Sequence, residues 1–206
     1  MKKLITTTVL TSTLLVSQAS ASDILFDLEF QNTGLDLVYS DADFTAKNDY
    51  TLAGKSSDDS ALGAAIHYGA TFKVKDSKFT VTPELYYELT NVEANDVDGS
   101  TDKLKIKNRK GANLKFGYKL SNYTPYIGVG IANADYEVDW ASLSRKNSSS
   151  ETSMTYTFGT KYHLNNKAFI SLELGYQELE LDSPSPYTAK YDADLTTIKT
   201  GISYKF

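Results

Sequence analysis

From Ala61 to Val74 the sequence alternates strictly with period two. Leu62, Ala64, Ile66, Tyr68, Ala70, Phe72 and Val74 occupy one parity; Ala61, Gly63, Ala65, His67, Gly69, Thr71 and Lys73 occupy the other. Side chains on a strand point to opposite faces in turn, so this is a strand with one face that tolerates lipid and one that is small or polar. A helix would scatter both sets around its circumference. Strands of soluble domains usually run about 5–6 residues, whereas a strand that crosses a bilayer needs about 9–11. A long strand with an unbroken apolar face therefore points to a membrane-spanning sheet. Such a sheet has to close into a barrel, because hydrocarbon leaves an open strand edge without hydrogen-bond partners.

The same pattern recurs along the chain. Phe79–Val92 sets Phe79, Val81, Pro83, Leu85, Tyr87 and Leu89 against Thr80, Thr82, Glu84, Tyr86, Glu88 and Thr90. Leu104–Tyr118 sets Leu104, Ile106, Ala112, Leu114, Phe116 and Tyr118 against Lys105, Lys107, Arg109, Asn113 and Lys115, with Asn108 and Lys110 interrupting the apolar face. Tyr123–Glu137, Met154–Leu164, Ala168–Tyr176 and Thr196–Phe206 read the same way. In Ile24–Tyr39 the apolar set changes parity between Phe30 and Leu35, which predicts a β-bulge near Asn32–Gly34. The expected fold class is therefore all-β: an eight-stranded antiparallel up-and-down transmembrane barrel. The connections alternate in length. Lys75–Lys78, Lys119–Asn122 and Asn165–Lys167 are short; Ser40–Ser60, Glu93–Lys103, Val138–Ser153 and Asp182–Leu195 are long and polar. Short turns at one end and long loops at the other are the pattern of bacterial outer-membrane barrels.

Mean hydropathy is −0.35, which does not argue against the membrane, because half of each barrel strand faces a polar interior. Tyr is abundant, 15 residues against one Trp, and its apolar ring and wet hydroxyl suit a membrane–water boundary. Lys2 and Lys3, the apolar stretch Leu4–Val16 and the small-x-small Ala19-Ser20-Ala21 form a secretory signal peptide over 1–21, with cleavage after Ala21 and a barrel domain over 22–206. Removing that segment takes away two Lys and no acid, so the mature charge is −7. An acidic chain has no use for a phosphate backbone, and no nucleic acid is expected as a partner. There is no Cys, which excludes disulfides, thiolate metal sites, a catalytic thiol and a lipid anchor on Cys.

The inward parities carry most of the candidate chemistry. Glu84, Glu88, Lys105, Lys107, Arg109, Lys115, Lys161, Glu173 and Lys199 are expected to form a lumen charge network, with Glu88 near Lys107 and Tyr86 near Arg109. Buried charges have to pair, and an eight-stranded barrel is just wide enough for its own side chains. A salt-bridged plug is the favoured reading; a narrow ion path is the alternative. His67 sits on an inward face with no Ser near it on its strand, and His163 lies at a turn without a His-x-Ser pattern, so neither suggests catalysis. No spacing suits a metal, and no cofactor is expected. Asn95-Asp96-Val97-Asp98-Gly99 resembles part of a Ca²⁺ loop but lacks the later bidentate acid.

Thr124-Pro125-Tyr126-Ile127-Gly128-Val129-Gly130 and the final Gly201-Ile202-Ser203-Tyr204-Lys205-Phe206 resemble the OmpA/OmpX-type family of small outer-membrane barrels, which includes the opacity-like surface proteins. The resemblance implies residence in the outer membrane among lipids and lipopolysaccharide. It also implies a monomer, and recognition of Ile202, Tyr204 and Phe206 by the outer-membrane assembly machinery. No segment follows the barrel, so the peptidoglycan-binding domain of larger members is not expected, nor a wall-tethering role. The expected function is non-enzymatic, structural or surface-interacting; a small pore or transporter is the alternative. A soluble lipocalin-like barrel, whose apolar faces would point inward, is less consistent with the inward charges.

Overall fold

A computed structural model describes residues 25–47, 56–95, 103–140, 145–182 and 190–206. The proposed signal peptide, and most of the Asn95–Gly99 run, lie outside these residues. The described chain forms eight strands: β1 (Phe26–Ala46), β2 (Ser56–Val74), β3 (Phe79–Asn95), β4 (Lys103–Tyr118), β5 (Tyr123–Trp140), β6 (Arg145–His163), β7 (Ala168–Asp182) and β8 (Lys190–Lys205). Each pairs antiparallel with the next, and β1 pairs with β8 to close the barrel. Closure is completed at the chain end, where Gln31 and Phe206 exchange backbone bonds of 3.0 and 2.9 Å.

The outward side chains divide the barrel into two zones. Around its turn end runs an apolar belt: Leu35 and Leu37, Leu62 and Ile66, Leu85 and Leu89, Leu114 and Phe116, Ile127 to Ile131, Phe158, Leu172 and Leu174, Ile198 and Ile202 are all exposed. From Tyr123 to Ile131 this belt follows the strand for ~9 residues, within the range of about 9–11 that a tilted strand needs to cross a bilayer. Aromatic residues mark both margins. Phe79 stacks on Tyr118 (5.0 Å) and Tyr123 on Tyr162 (4.8 Å) at the turn end. Tyr39, Tyr87, Tyr156 and Tyr176 stand exposed at the other margin.

Beyond that second margin the strands continue and their pattern inverts. Asp41, Asp43, Glu93, Asp135, Glu137, Glu178 and Asp194 now point outward or lie half-buried. Ala42, Phe44, Val92, Ala94, Leu104, Ile106, Ala134, Tyr136, Val138, Leu179, Leu181, Tyr191, Ala193 and Leu195 pack inside as an apolar cluster. The lower zone is a lipid-immersed barrel and the upper zone a water-immersed one, built from the same strands.

This inversion revises several sequence expectations. Much of what reads as long loop is strand: β1 reaches Ala46, β6 begins at Arg145 and β8 at Lys190. The bulge in β1 falls between Leu28 and Phe30 rather than at Asn32–Gly34. It turns Phe30 into the lumen mouth, against Phe169 (6.2 Å) and His163 (6.3 Å). In β4 the register shifts between Ile106 and Asn108. Leu104 and Ile106 therefore point inward, and Lys105 and Lys107 outward, the reverse of the expected faces. Asn91 opposite takes a left-handed φ of 54°, which an Asn tolerates better than most residues.

The two zones predict opposite responses to the same substitution. Leu172→Arg, in the middle of the belt, is expected to lower stability by about 2–4 kcal/mol. Thr152→Arg, outward in the upper zone, should change it by no more than about 0.5 kcal/mol. Equilibrium urea unfolding in lipid vesicles measures both; equal effects would place the belt elsewhere.

Candidate functional site

The lower lumen is filled by a charge network gathered from five strands. β3 contributes Glu84 and Glu88, β4 Arg109 and Lys115, β6 Lys161, β7 Glu173 and β8 Lys199, all buried. Glu88 is fully buried and receives Arg109 Nη2 at 2.5 Å and Nε at 2.9 Å on Oε1. Lys199 Nζ lies 2.9 Å from its Oε2. Arg109 Nη1 also donates to Gln177 Oε1 at 3.0 Å. Lys115 Nζ bridges Glu84 (2.5 Å) and Glu173 (2.6 Å), and Tyr126 Oη donates to Glu173 at 2.9 Å. Lys199 lies over the Tyr86 ring at 4.6 Å, and Lys161 over Phe169 at 5.2 Å. Each side chain reaches the axis because it alternates with lipid-facing neighbours.

Two expected members are absent from this network. Lys105 and Lys107 leave the lumen at the β4 bulge and pair on the upper outer wall, Lys105 with Glu93 (3.6 Å) and Lys107 with Glu137 (2.6 Å). The bond from Lys107 holds the Glu137 carboxyl below the usual carboxylate range. In the β3–β4 register Glu88 faces Arg109, Tyr86 faces Gly111 and Glu93 faces Lys105. The expected pairs Glu88–Lys107 and Tyr86–Arg109 are thus replaced by a register two residues further along β4, continuous from Phe79 opposite Tyr118. Asp36 takes a lumen place that sequence reading overlooked. Four cations (Arg109, Lys115, Lys161, Lys199) then stand among four carboxylates (Asp36, Glu84, Glu88, Glu173), so the buried charge balances.

Asp36 belongs to a second array. Its Oδ2 accepts from His67 Nδ1 at 2.7 Å, and His67 Nε2 lies 3.0 Å from Ser203 Oγ. An acid, an imidazole and a hydroxyl in this order have the connectivity of a hydrolytic triad. Expectation found no Ser near His67 because it considered only residues of its own strand; Asp36, His67 and Ser203 sit on β1, β2 and β8, joined by the closure. The register places Gly34 between them, opposite both His67 and Ser203. A Cβ at Gly34 would fall 2.5 Å from His67 Cε1, so the packing requires glycine. Ser203 is 1% exposed, and the adjoining cavity is about 20 Å³, room for about one water. The array laces three strands across the seam.

His163 is held differently, with Nε2 3.0 Å from Thr124 Oγ1 and its ring against Phe30 and Phe169. With Lys205, whose Nζ lies 5.0 Å over Phe30, they close the turn end over a cavity of about 10 Å³. From end to end the axis thus meets an aromatic lid, the charge network and the apolar cluster. Ile202 and Tyr204 on β8, and Phe206 just past its end, are all exposed. Among the described residues no three His, Asp or Glu side chains converge as a metal-ligand set.

The family model for the outer membrane protein beta-barrel domain matches residues 7–206. Among solved structures, OprG of Pseudomonas aeruginosa is similar at 16% identity and a TM-score of 0.51, over 89% of this chain and 99% of that one. Neisserial surface protein A is similar at 13% identity and a TM-score of 0.50, over 84% and 97%. Ail of Yersinia pestis, in complex with sucrose octasulfate, aligns at 13% identity with a TM-score of 0.48, over 85% and 99%. Likeness at these identities concerns the fold alone. No curated protein matches the sequence.

Removing one partner of a buried ion pair strands the other. Glu88→Ala is therefore expected to cost about 3–5 kcal/mol, and the double variant Glu88→Ala/Arg109→Met clearly less than the sum of its parts. A double-mutant cycle by urea unfolding tests this; strict additivity would dissolve the pair.

Proposed function

The chain belongs to the outer membrane protein beta-barrel domain family, and from that premise we propose that it serves as a closed, non-enzymatic barrel of the outer membrane whose role is carried by its outer face. The filled lumen carries this reading. A conducting eight-stranded barrel needs continuous water along its axis, but here the Phe30–Phe169 lid, the balanced ions and the Phe44–Leu195 cluster follow one another; the cavities within the lid and the ion network are about 10 and 20 Å³, and the larger hollow of about 400 Å³ lies at the turn-end mouth, against Phe30, His163 and Lys205. What the chain presents to its surroundings is the upper zone, polar outside and rigidly cored, which suits surface interaction or a structural role at the lipopolysaccharide layer. The chain works as a monomer among outer-membrane lipids. Residues 1–21 act as a cleaved leader, and the outward Ile202, Tyr204 and Phe206 present the contact for the assembly machinery.

Among the described residues, the Asp36–His67–Ser203 array gives geometric support for a second reading, a hydrolase. Burial of Ser203 and the small adjoining cavity weigh against it.

Two measurements test the proposal. Purified, refolded protein that shifts in gel mobility on heating should give no steady unitary current in a planar bilayer; currents altered by Glu88→Ala or Lys199→Ala would make it a pore. A fluorophosphonate probe should leave Ser203 unlabelled; stoichiometric labelling abolished by Ser203→Ala would make it an enzyme.

A further inference from the structure

The two ends of the barrel treat their lysines differently. In the upper zone the described lysines are all ion-paired. Around the turns Lys119 pairs with Glu29. Lys73, Lys75, Lys78, Lys167 and Lys205 have no ion-pair partner among the described residues, and the described acids of this rim are Asp27, Glu29 and Asp76. The turn end is therefore cationic.

Lys205 lies on the wall of the turn-end hollow, whose volume of about 400 Å³ is that of a ligand pocket. Two tight turns set its shape. Leu120 and Tyr123 exchange backbone bonds of 2.7 and 2.8 Å, and Ser121 between them takes a left-handed φ of 52°. In the other turn Asn165 Oδ1 accepts the Lys167 and Ala168 amides at 2.7 and 2.9 Å. The His163 amide donates to the Asn122 carbonyl at 2.8 Å and ties the two turns together. The hollow is thus preformed. Lys205 Nζ donates to the Asn165 carbonyl at 3.2 Å and lies 5.0 Å over the Phe30 ring. An ammonium has three donors, so two of them have no acceptor among the described residues. Glu29 is engaged by Lys119, and Lys119, Lys205 and Glu29 together leave one positive charge on the wall.

The hollow sits at headgroup depth. The aromatic pairs Phe79–Tyr118 and Tyr123–Tyr162 mark the lipid margin. Lys119 directly follows Tyr118, and Leu164, 47% exposed, is the next outward position after Tyr162. Leu164 also lines the hollow, so an apolar sill joins the hollow to the lipid-facing wall. A fitting ligand has one negative charge spread over several acceptor oxygens and an apolar part that continues down the outside of the barrel. A phosphodiester lipid has both, and lysine binds phosphate as a point charge. A zwitterionic headgroup would bring a second ammonium against Lys205. We propose that the hollow holds the phosphate of an anionic phospholipid of the periplasmic leaflet, its uncharged polyol among Ser121, Asn122 and Asn166 and its acyl chains over Leu164 and Tyr162. The proposal rests on the outer-membrane barrel reading and goes beyond the outer-face role, since it concerns the opposite end.

The test uses the refolded protein in dodecyl maltoside micelles, isotope-labelled and read by amide NMR shifts during titration with dihexanoyl phosphatidylglycerol. Saturable shifts are expected at Lys119–Asn122, His163–Lys167 and Lys205. Affinity should fall about fivefold in Lys205→Gln protein that keeps the heat-shifted mobility of a folded barrel, the worth of one lysine beside an anionic lipid. Leu164→Asp should lower it by a similar factor, and carries the test if Lys205→Gln does not fold. Lys75→Gln/Lys78→Gln, on the rim outside the hollow, should change it by less than about twofold, because separated exposed charges are screened. Dihexanoyl phosphatidylcholine binding as tightly would overturn the role of the charge. Inorganic phosphate binding as tightly would make this a site for the free anion and overturn the lipid. An equal loss in the Lys75→Gln/Lys78→Gln protein would reduce the effect to a diffuse basic rim and overturn the site. So would the absence of binding, or unchanged affinity in the folded hollow variants. The absence of conductance would stand in each of these cases, so failure here is separable from failure of the closed-barrel reading.

Discussion

Hydrocarbon offers a peptide N–H no partner, so each backbone group that these strands carry through lipid has to be bonded to a neighbouring strand. In the lower zone the ladders run round the whole ring, from β1–β2 to the β1–β8 seam, with an interruption in β2–β3 opposite Pro83, which has no N–H to bond. Closure then dictates the interior. An eight-stranded ring leaves an axis as wide as its own side chains, and whatever points inward must fit and be neutral as a set. The glycines at 34, 128, 130 and 159 make room for this, each standing beside a larger partner such as His67, Asn113 or Tyr126. The polar interior is thus a consequence of the closed ladder.

Above the belt the solvent changes and so does the rule. Backbone groups can be satisfied by water, so the ladder can end, and among the described residues that between β6 and β7 stops at Thr155 and Gln177. Stability there comes from apolar side chains turned inward, which is the logic of a soluble protein. Two kinds of protein are joined along each strand, and the tyrosines of β1, β3, β6 and β7 mark where one becomes the other.

This junction also explains what could be read from the sequence. The lower zone was legible: strict alternation over Ala61–Val74 and Tyr123–Ile131 assigned both faces, and the short turns lay where expected. The upper zone looked like loop, because an apolar-in, acid-out strand such as Asp41-Ala42-Asp43-Phe44 has the opposite phase to the strand below it. A search for one continuous lipid face discards it. Lys105 and Lys107 were misplaced because a single extra residue in β4 reverses every face beyond it. One signal was available: the expected network held six cations against three carboxylates, an excess that a dry interior does not tolerate. Demanding neutrality would have sent two lysines outward and drawn in an acid. The Asp36–His67–Ser203 array was out of reach, since its members meet only through the closure of β8 on β1.

The distribution of counter-ions has a kinetic side. Glu88 and Glu173 each share Lys199, and Lys199 arrives on the last strand, together with Ser203. A sheet of β1 to β7 would hold four inward carboxylates against three cations and leave the edges of β1 and β7 unbonded. Such a sheet is poorly suited to lipid on both counts. The eighth strand settles the electrostatic deficit and the hydrogen-bond deficit in the same movement, so it acts as a latch. Membrane entry and barrel closure become a single event, and a partly assembled chain has little chance of persisting in the bilayer.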